Sequence, residues 1–228
     1  TDGRVVYKGT CRPRDIDAIG AIGAIGAIGA IDAIDTIGSI DSTIRTVPAT
    51  TRLIVPDRTI PFTDGHYGPH PLNLAEHCGD YIVRRKDGAW AYQLAVVVDD
   101  ALMGITEIVR GRDLLLSSPQ QIHLRELLFG ERKTDSLTTH HPPLTVNFFH
   151  HPLLCNAEGQ RLCKRDKSMD LGYLRNKGTT SLEIIGLLAH LAGLTDTPAP
   201  ITPAELLPLF SWDKVPTEDI ILDKQIML

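Results

Sequence analysis

Apolar and polar positions change over in short blocks along most of the chain, and the blocks predict an order of elements. Arg52-Leu53-Ile54-Val55 reads as a short strand closed by Pro56-Asp57, since a ladder cannot run on through proline. Thr63-Asp64-Gly65 and Gly68-Pro69 read as turns. Asp80 to Arg85 is a strand, and Lys86-Asp87-Gly88 is its hairpin turn. Trp90 to Val98 reads as a buried strand-like run ending at Asp99-Asp100, and Met103 to Val109 fits a further strand. Ser118-Pro119-Gln120 caps a helix over Gln121 to Leu128, with Ile122, Leu124, Leu127 and Leu128 as its apolar stripe. Thr145 to Phe149 is a short strand leading to His150-His151-Pro152. Helical patterns follow over Leu171 to Arg175, Thr180 to Ala192 with Ser181 as cap, and Pro203 to Phe210. Strands interleaved with helices predict an α/β fold, followed by a helical C-terminal section.

One stretch obeys neither period. Between residues 14 and 46 isoleucine recurs at every third position from Ile16 to Ile40, in Ala-Ile-Gly units from Ala18 to Gly29. A period of three drifts around an α-helix and does not alternate across a strand. Its glycines each weaken a helix by ~1 kcal/mol, and without proline it is not collagen-like. The repeat is either a small module or a slipped tandem repeat tolerated in a surface insertion. Short repeats bury a core only when many units stack, which favours the insertion.

Composition narrows the class. The 228 residues are 43% hydrophobic and 22% charged, ordinary for a globular protein. No apolar run approaches the ~20 residues of a membrane-spanning helix. Cys11, Cys78, Cys155 and Cys163 stand at wide, irregular spacings, which suits a reducing cytoplasm better than a disulfide framework. The first residue is Thr1, and no charged-then-apolar leader follows it, so the chain reads as a piece of a longer frame. A net charge of −5 does not exclude nucleic-acid binding, which depends on local patches. Arg110, Arg112, Arg125, Arg132 and Lys133 form one loose basic group; Arg161, Lys164, Arg165 and Lys167 form another.

Three features carry candidate chemistry. Arg161-Leu162-Cys163-Lys164-Arg165-Asp166 follows the turn-prone loop Asn156 to Gln160, and such a cluster of cations can clamp a polyphosphate. Taken alone, a basic stretch of this length is as readily solvated surface. Asp99-Asp100 offers paired carboxylates for acid–base work or metal binding, but no second carboxylate cluster accompanies it, and a structural or RNA-contacting role fits better. His140, His141, His150 and His151 suggest a metal site. Neighbouring side chains on a strand point to opposite faces, so they read better as loop histidines.

The block Tyr92-Gln93-Leu94-Ala95…Val98-Asp99-Asp100…Met103-Gly104-Ile105-Thr106…Arg110, followed by the basic loop, resembles the catalytic domain of the glutamyl-tRNA synthetase family. The resemblance covers residues 1–12 and 52–222; the repeat has no counterpart. It implies the C-terminal part of a class I Rossmann-like catalytic domain, with ATP as a substrate alongside Mg2+. Tyr92 and Arg110 would bind glutamate, and a planar guanidinium is indeed the best fixed partner for a carboxylate. Arg161, Leu162, Cys163, Lys164 and Arg165 would be the KMSKS-type loop, with Lys164 the ATP-binding lysine. Cys163 stands where the signature has serine, which removes a hydroxyl donor and leaves both cations. Within the family, Tyr7-Lys8-Gly9-Thr10-Cys11 is similar to the second half of a zinc-binding insert in the glutamyl-queuosine tRNA(Asp) synthetase branch. Phe62 to Pro69 and Cys78 to Arg85 resemble that branch as well. Tyr7 and Cys11 would then be half of a Zn2+ site whose other ligands precede Thr1.

The expected organisation is residues 1–13 as half a zinc insert, 14–50 as the repeat, 51–168 as the second half of a catalytic domain and 169–228 as a helical section without an anticodon-binding domain. The HIGH signature of the family is absent. The expectation is a monomeric, cytoplasmic, glutamate-activating enzyme acting on tRNA(Asp), with half of its site outside this sequence and the fragment alone inactive. The alternatives are a truncated synthetase that charges tRNA(Glu), and an inactive RNA-binding remnant.

Overall fold

Thr51–Leu53 forms a three-residue strand (β1) and opens the ordered description of the protein, a computed structural model that describes residues 50–130, 145–162 and 170–222. Short strands follow: Thr59–Ile60 (β2), Thr63–Asp64 (β3), Gly68–Pro69 (β4) and Leu72–Asn73 (β5). Next come a one-turn helix Leu74–His77 (α1), strand Tyr81–Arg84 (β6), helix Tyr92–Leu102 (α2) and strand Glu107–Gly111 (β7). A 3-10 segment, Arg112–Ser117, leads into helix Ser118–Phe129 (α3). Strands Asn147–His151 (β8) and Leu154–Cys155 (β9) precede helices Leu171–Asn176 (α4), Ser181–Leu191 (α5) and Pro203–Leu206 (α6). A 3-10 turn at Leu207–Leu209 and strand Ile220–Ile221 (β10) complete the order. Strands and helices are mixed, as the α/β expectation requires.

The chain divides into two compact units. The first is Thr1–Thr63, Pro69–Ile108 and Leu116–Phe148; the second is Asp64–Gly68, Val109–Leu115 and Phe149–Leu228.

In the first unit β1 pairs antiparallel with β6, Leu53 opposite Tyr81, and β2 pairs with β5, Ile60 opposite Leu72. These registers turn Leu53, Ile60, Leu72 and Tyr81 inward, where they meet Val55, Leu74, Val97 of α2 and Leu124 of α3. Ile60 and Leu74 are wholly buried; removing each such side chain from water contributes roughly 1.5–3 kcal/mol. Asn73 caps α1 by accepting the Ala75 amide at 3.0 Å. Asp80, buried beneath this core, accepts the Val55 amide at 3.0 Å and so fixes where β1 ends.

Several sequence expectations need correction. The run Trp90 to Val98 is helical from Tyr92 rather than a strand. Its valines favour strands, but Leu94, Val97 and Ala101 recur at helical spacing, and burying that face against the core outweighs local propensity. The hairpin turn before it stands: Gly88, at φ +85°, donates its amide to Arg85 at 2.9 Å. Met103 caps the helix and Gly104 at φ +69° turns the chain, so the following strand starts later, at Glu107. Helix α3 starts at Ser118 itself, three residues before the expected first turn, with proline in its first turn. Thr180, not Ser181, caps α5: its hydroxyl accepts the Glu183 amide while Glu183 reaches back to the Thr180 amide. The stretch expected as two turns at Thr63-Asp64-Gly65 and Gly68-Pro69 is a paired hairpin, β3 with β4. His150 and His151 end β8 instead of lying in a loop.

In the second unit β9 pairs with β10 in parallel. Helix α5 buries Ala189 against Leu194 and Val215, with Trp212 packed beside them. Trp212 also stacks on Phe149 at 5.2 Å between centroids. Gly65 is required nearby, because any Cβ there would lie 2.0 Å from the Phe149 ring. The repeat at 14–46, Tyr7, Cys11, Arg132, Lys133, His140, His141, Cys163, Lys164, Arg165 and Lys167 lie outside the described residues.

Candidate active site

The second unit also buries a polar group, Asp64 with His150. Asp64, the last residue of β3, is 1% exposed. Its Oδ1 accepts the amides of His66 at 3.0 Å, Tyr67 at 2.9 Å and His150 at 3.3 Å. An aspartate that takes the amides two and three residues on folds its own turn, which is why this hairpin tip closes where it does. Oδ2 faces the Nδ1 of His150 at 2.6 Å. Burial works to raise the carboxyl pKa and is the largest single influence; the His150 bond and the three amides together outweigh it, and the net shift is below the ordinary value.

His150 is completely buried and held from both sides. The Nε–H of Arg110, on β7, donates to His150 Nε2 at 3.0 Å. A guanidinium only donates, so Nε2 is the acceptor and the ring proton sits on Nδ1, where it donates to Asp64. The imidazole is therefore neutral. Burial lowers its pKa, Arg110 and His151 push the same way, and Asp64 opposes them. Arg110 also donates from Nη2 to the Leu114 carbonyl at 3.4 Å. Imidazole and peptide carbonyl are both neutral acceptors, and these two bonds help to orient the guanidinium.

Two ion pairs follow directly along the chain. Arg112 grips Asp219 through Nε and Nη2, each at 2.5 Å, and Asp219 Oδ1 also accepts the Leu153 amide at 2.9 Å. The guanidinium holds the Asp219 carboxyl below its usual range. Asp113 pairs with Arg161, the first residue of the basic signature. Leu162 donates its amide to the Leu154 carbonyl at 2.9 Å. The start of the signature loop is thus tied to the segment that follows Arg110, and its exposed ion pair is weak enough to exchange.

The sequence candidates are placed as follows. Arg110 sits in the second unit within the Asp64–His150 group. Tyr92 opens α2 in the first unit and is 53% exposed. Arg161 and Leu162 anchor the signature loop in the second unit. Asp99 and Asp100 occupy the last turn of α2, where the Asp99 carbonyl accepts the Met103 amide. His151 turns away from His150, as strand alternation demands, and its Nδ1–H meets the Pro152 carbonyl at 2.8 Å. Among the described residues no three His, Cys, Asp or Glu side chains gather to hold a metal, and no helix is long and apolar enough to cross a membrane. The sequence expectations leave Asp64 as a turn residue and give His150 as a loop histidine at the position where the family carries one before its Pro-Leu turn. The available signal was the Asp-Gly turn together with a histidine beside a Pro-Leu turn, two weak cues 86 positions apart.

Residues 41–199 match the family described as tRNA synthetases class I (E and Q), catalytic domain. The chain belongs to this family. Its relatives include the Glutamyl-Q tRNA(Asp) synthetases of Nitratidesulfovibrio vulgaris, 41% identical over 176 residues, and Symbiobacterium thermophilum, 43% identical over 169. These alignments take in 77% and 74% of this chain and 50% and 48% of the relatives, so the chain spans about half the length of the curated relatives it matches. Among solved structures, a glutamate tRNA ligase from Elizabethkingia meningosepticum superposes with a TM-score of 0.62 at 21% identity, over 88% of this chain and 40% of that one. At that identity the likeness speaks for the fold alone, the catalytic fold of class I synthetases.

Proposed function

We propose that the full-length protein activates glutamate with ATP and passes it to queuosine in the anticodon of tRNA(Asp). The observation that carries this reading is the identity of 40% and more to relatives named for that reaction, across three quarters of the chain. In the first step an oxygen of the substrate carboxylate attacks the α-phosphorus of ATP and pyrophosphate leaves. In the second a hydroxyl of queuosine attacks the acyl carbon and AMP leaves. Arg110 binds a glutamate carboxylate and the Tyr92 hydroxyl orients the amino group. Lys164, with Arg161 and Arg165, stabilises the polyphosphate as charge moves onto it, with Mg2+ accompanying ATP. For Arg161 this means exchanging Asp113 for phosphate. Tyr7 and Cys11 are proposed as two of the four ligands a structural Zn2+ takes.

The test is glutamate-dependent exchange of pyrophosphate into ATP by the full-length protein, with glutamylation of queuosine-containing tRNA(Asp) and tRNA(Glu) side by side. Lys164→Ala should slow exchange by ~10²-fold or more, the range for removing one transition-state donor. Unchanged exchange rejects Lys164 as the ATP-site lysine. Esterification of tRNA(Glu) instead of tRNA(Asp) replaces the proposal with the glutamyl-tRNA synthetase reading, to which the glutamate tRNA ligase fold is equally suited.

A further inference from the structure

Arg110 reaches its place through a buried chain of hydrogen bonds. Three backbone amides and the His150 ring saturate Asp64, Asp64 fixes the His150 tautomer, and His150 presents its one lone pair to the Nε–H of Arg110. Nε is the nitrogen nearest the aliphatic stem. A bond there, with the Leu114 carbonyl holding Nη2, sets the plane of the whole guanidinium rather than one tip. A carboxylate is gripped bidentately only when that plane is correctly turned.

We propose that Asp64 and His150 are positioning residues that orient the Arg110 guanidinium toward the carboxylate of the amino-acid substrate. The inference rests on the reading of Arg110 as a glutamate ligand. It also makes substrate affinity acid-sensitive. A protonated His150 has no lone pair for Arg110 and carries a like charge beside it. Among the described residues, the charged and titratable groups that act on the ring are Asp64 from the β3–β4 hairpin, Arg110 from β7 and, from the other face of β8, His151. Two of the three oppose protonation and burial adds to them, so the ring stays neutral and Arg110 stays aligned at neutral pH.

The experiment measures KM for glutamate and for ATP in pyrophosphate exchange by the full-length protein and its variants, over roughly pH 5 to 8. Arg110→Ala should raise the glutamate KM by about 10²-fold, as loss of one partner from a charged pair does. His150→Asn keeps an amide that donates to Asp64 but falls short of Arg110. It should raise the glutamate KM by about ten-fold, one charged hydrogen bond, with the ATP KM unchanged. His150→Gln, whose amide oxygen extends to the Nε2 position, should recover part of the loss. In the unsubstituted protein the glutamate KM should climb as pH falls through the His150 transition, and in His150→Asn that climb should vanish. An unchanged glutamate KM in His150→Asn, or equal damage to both substrates, overturns the positioning role while leaving Arg110 as a ligand. If Arg110→Ala itself spares the glutamate KM, the reading of Arg110 falls and the inference falls with it. Should His150→Asn fail to fold, His150→Gln carries the test, and equal damage to the glutamate and ATP KM in that variant overturns the positioning role.

Discussion

Each unit of this protein buries a histidine, and the two are treated in opposite ways. In the first unit His123 of α3 is 5% exposed and, among the described residues, neither ring nitrogen finds a hydrogen-bond partner. In the second unit His150 has both nitrogens bonded, one to a buried carboxylate and one to an arginine. Burial lowers the pKa of both. The difference lies in what each ring is for. His123 is buried within the electrostatic reach of Arg58 and Glu126, with both ring nitrogens unmet among the described residues. His150 spends the same burial to hold two charged neighbours in fixed positions. Depth of burial alone does not separate the two rings; their hydrogen-bond partners do.

Replacing each ring by leucine should therefore give opposite signs. His150→Leu leaves the Asp64 carboxylate buried without its ring partner and should destabilise the protein by ~3–5 kcal/mol. His123→Leu removes a buried polar group with unmet bonds and should stabilise it by ~1–2 kcal/mol. Thermal or denaturant unfolding of the two variants measures both. A stabilised His150→Leu or a strongly destabilised His123→Leu would reverse the contrast.

A finer test uses pH. Both histidines have folded pKa values below the unfolded value of about 6.5, so the unfolded chain binds more protons as pH falls. Their contribution is fully present above that value and is lost as pH drops toward the lower folded values. Each adds a slope approaching ~1.4 kcal/mol per pH unit within its window. His123→Leu should flatten the acid slope of stability as pH falls below about 6.5. Asp64 acts only in a lower window, beneath its ordinary carboxylate value. An unaltered slope in His123→Leu would mean that its ring is not neutral in the folded protein.

Much of the local structure was legible. The hairpin turn at Lys86-Asp87-Gly88, the helix with the Ile122 and Leu124 stripe, and the three C-terminal helices all follow from turn chemistry and period. The valine run of α2 was misread because three β-branched residues outvoted the 94, 97, 101 spacing, and only packing against Leu53, Ile60 and Leu124 shows which signal wins. The cap of α5 was displaced by one residue because Thr180 and Ser181 are both good caps, and the position of Glu183 three residues on decides between them.

The sequence by itself determined the family and the α/β class, and the resemblance to that family named Arg110 as a candidate ligand. Tertiary structure alone decided how Arg110 is held. Asp64 and His150 lie 86 positions apart, and Arg112 and Asp219 lie 107 apart. No local period encodes such distances. They are set by where the β3–β4 hairpin, the end of β8 and the final strand come to rest. A buried carboxylate can remain ionised there because the fold brings it three amides and a neutral imidazole at once.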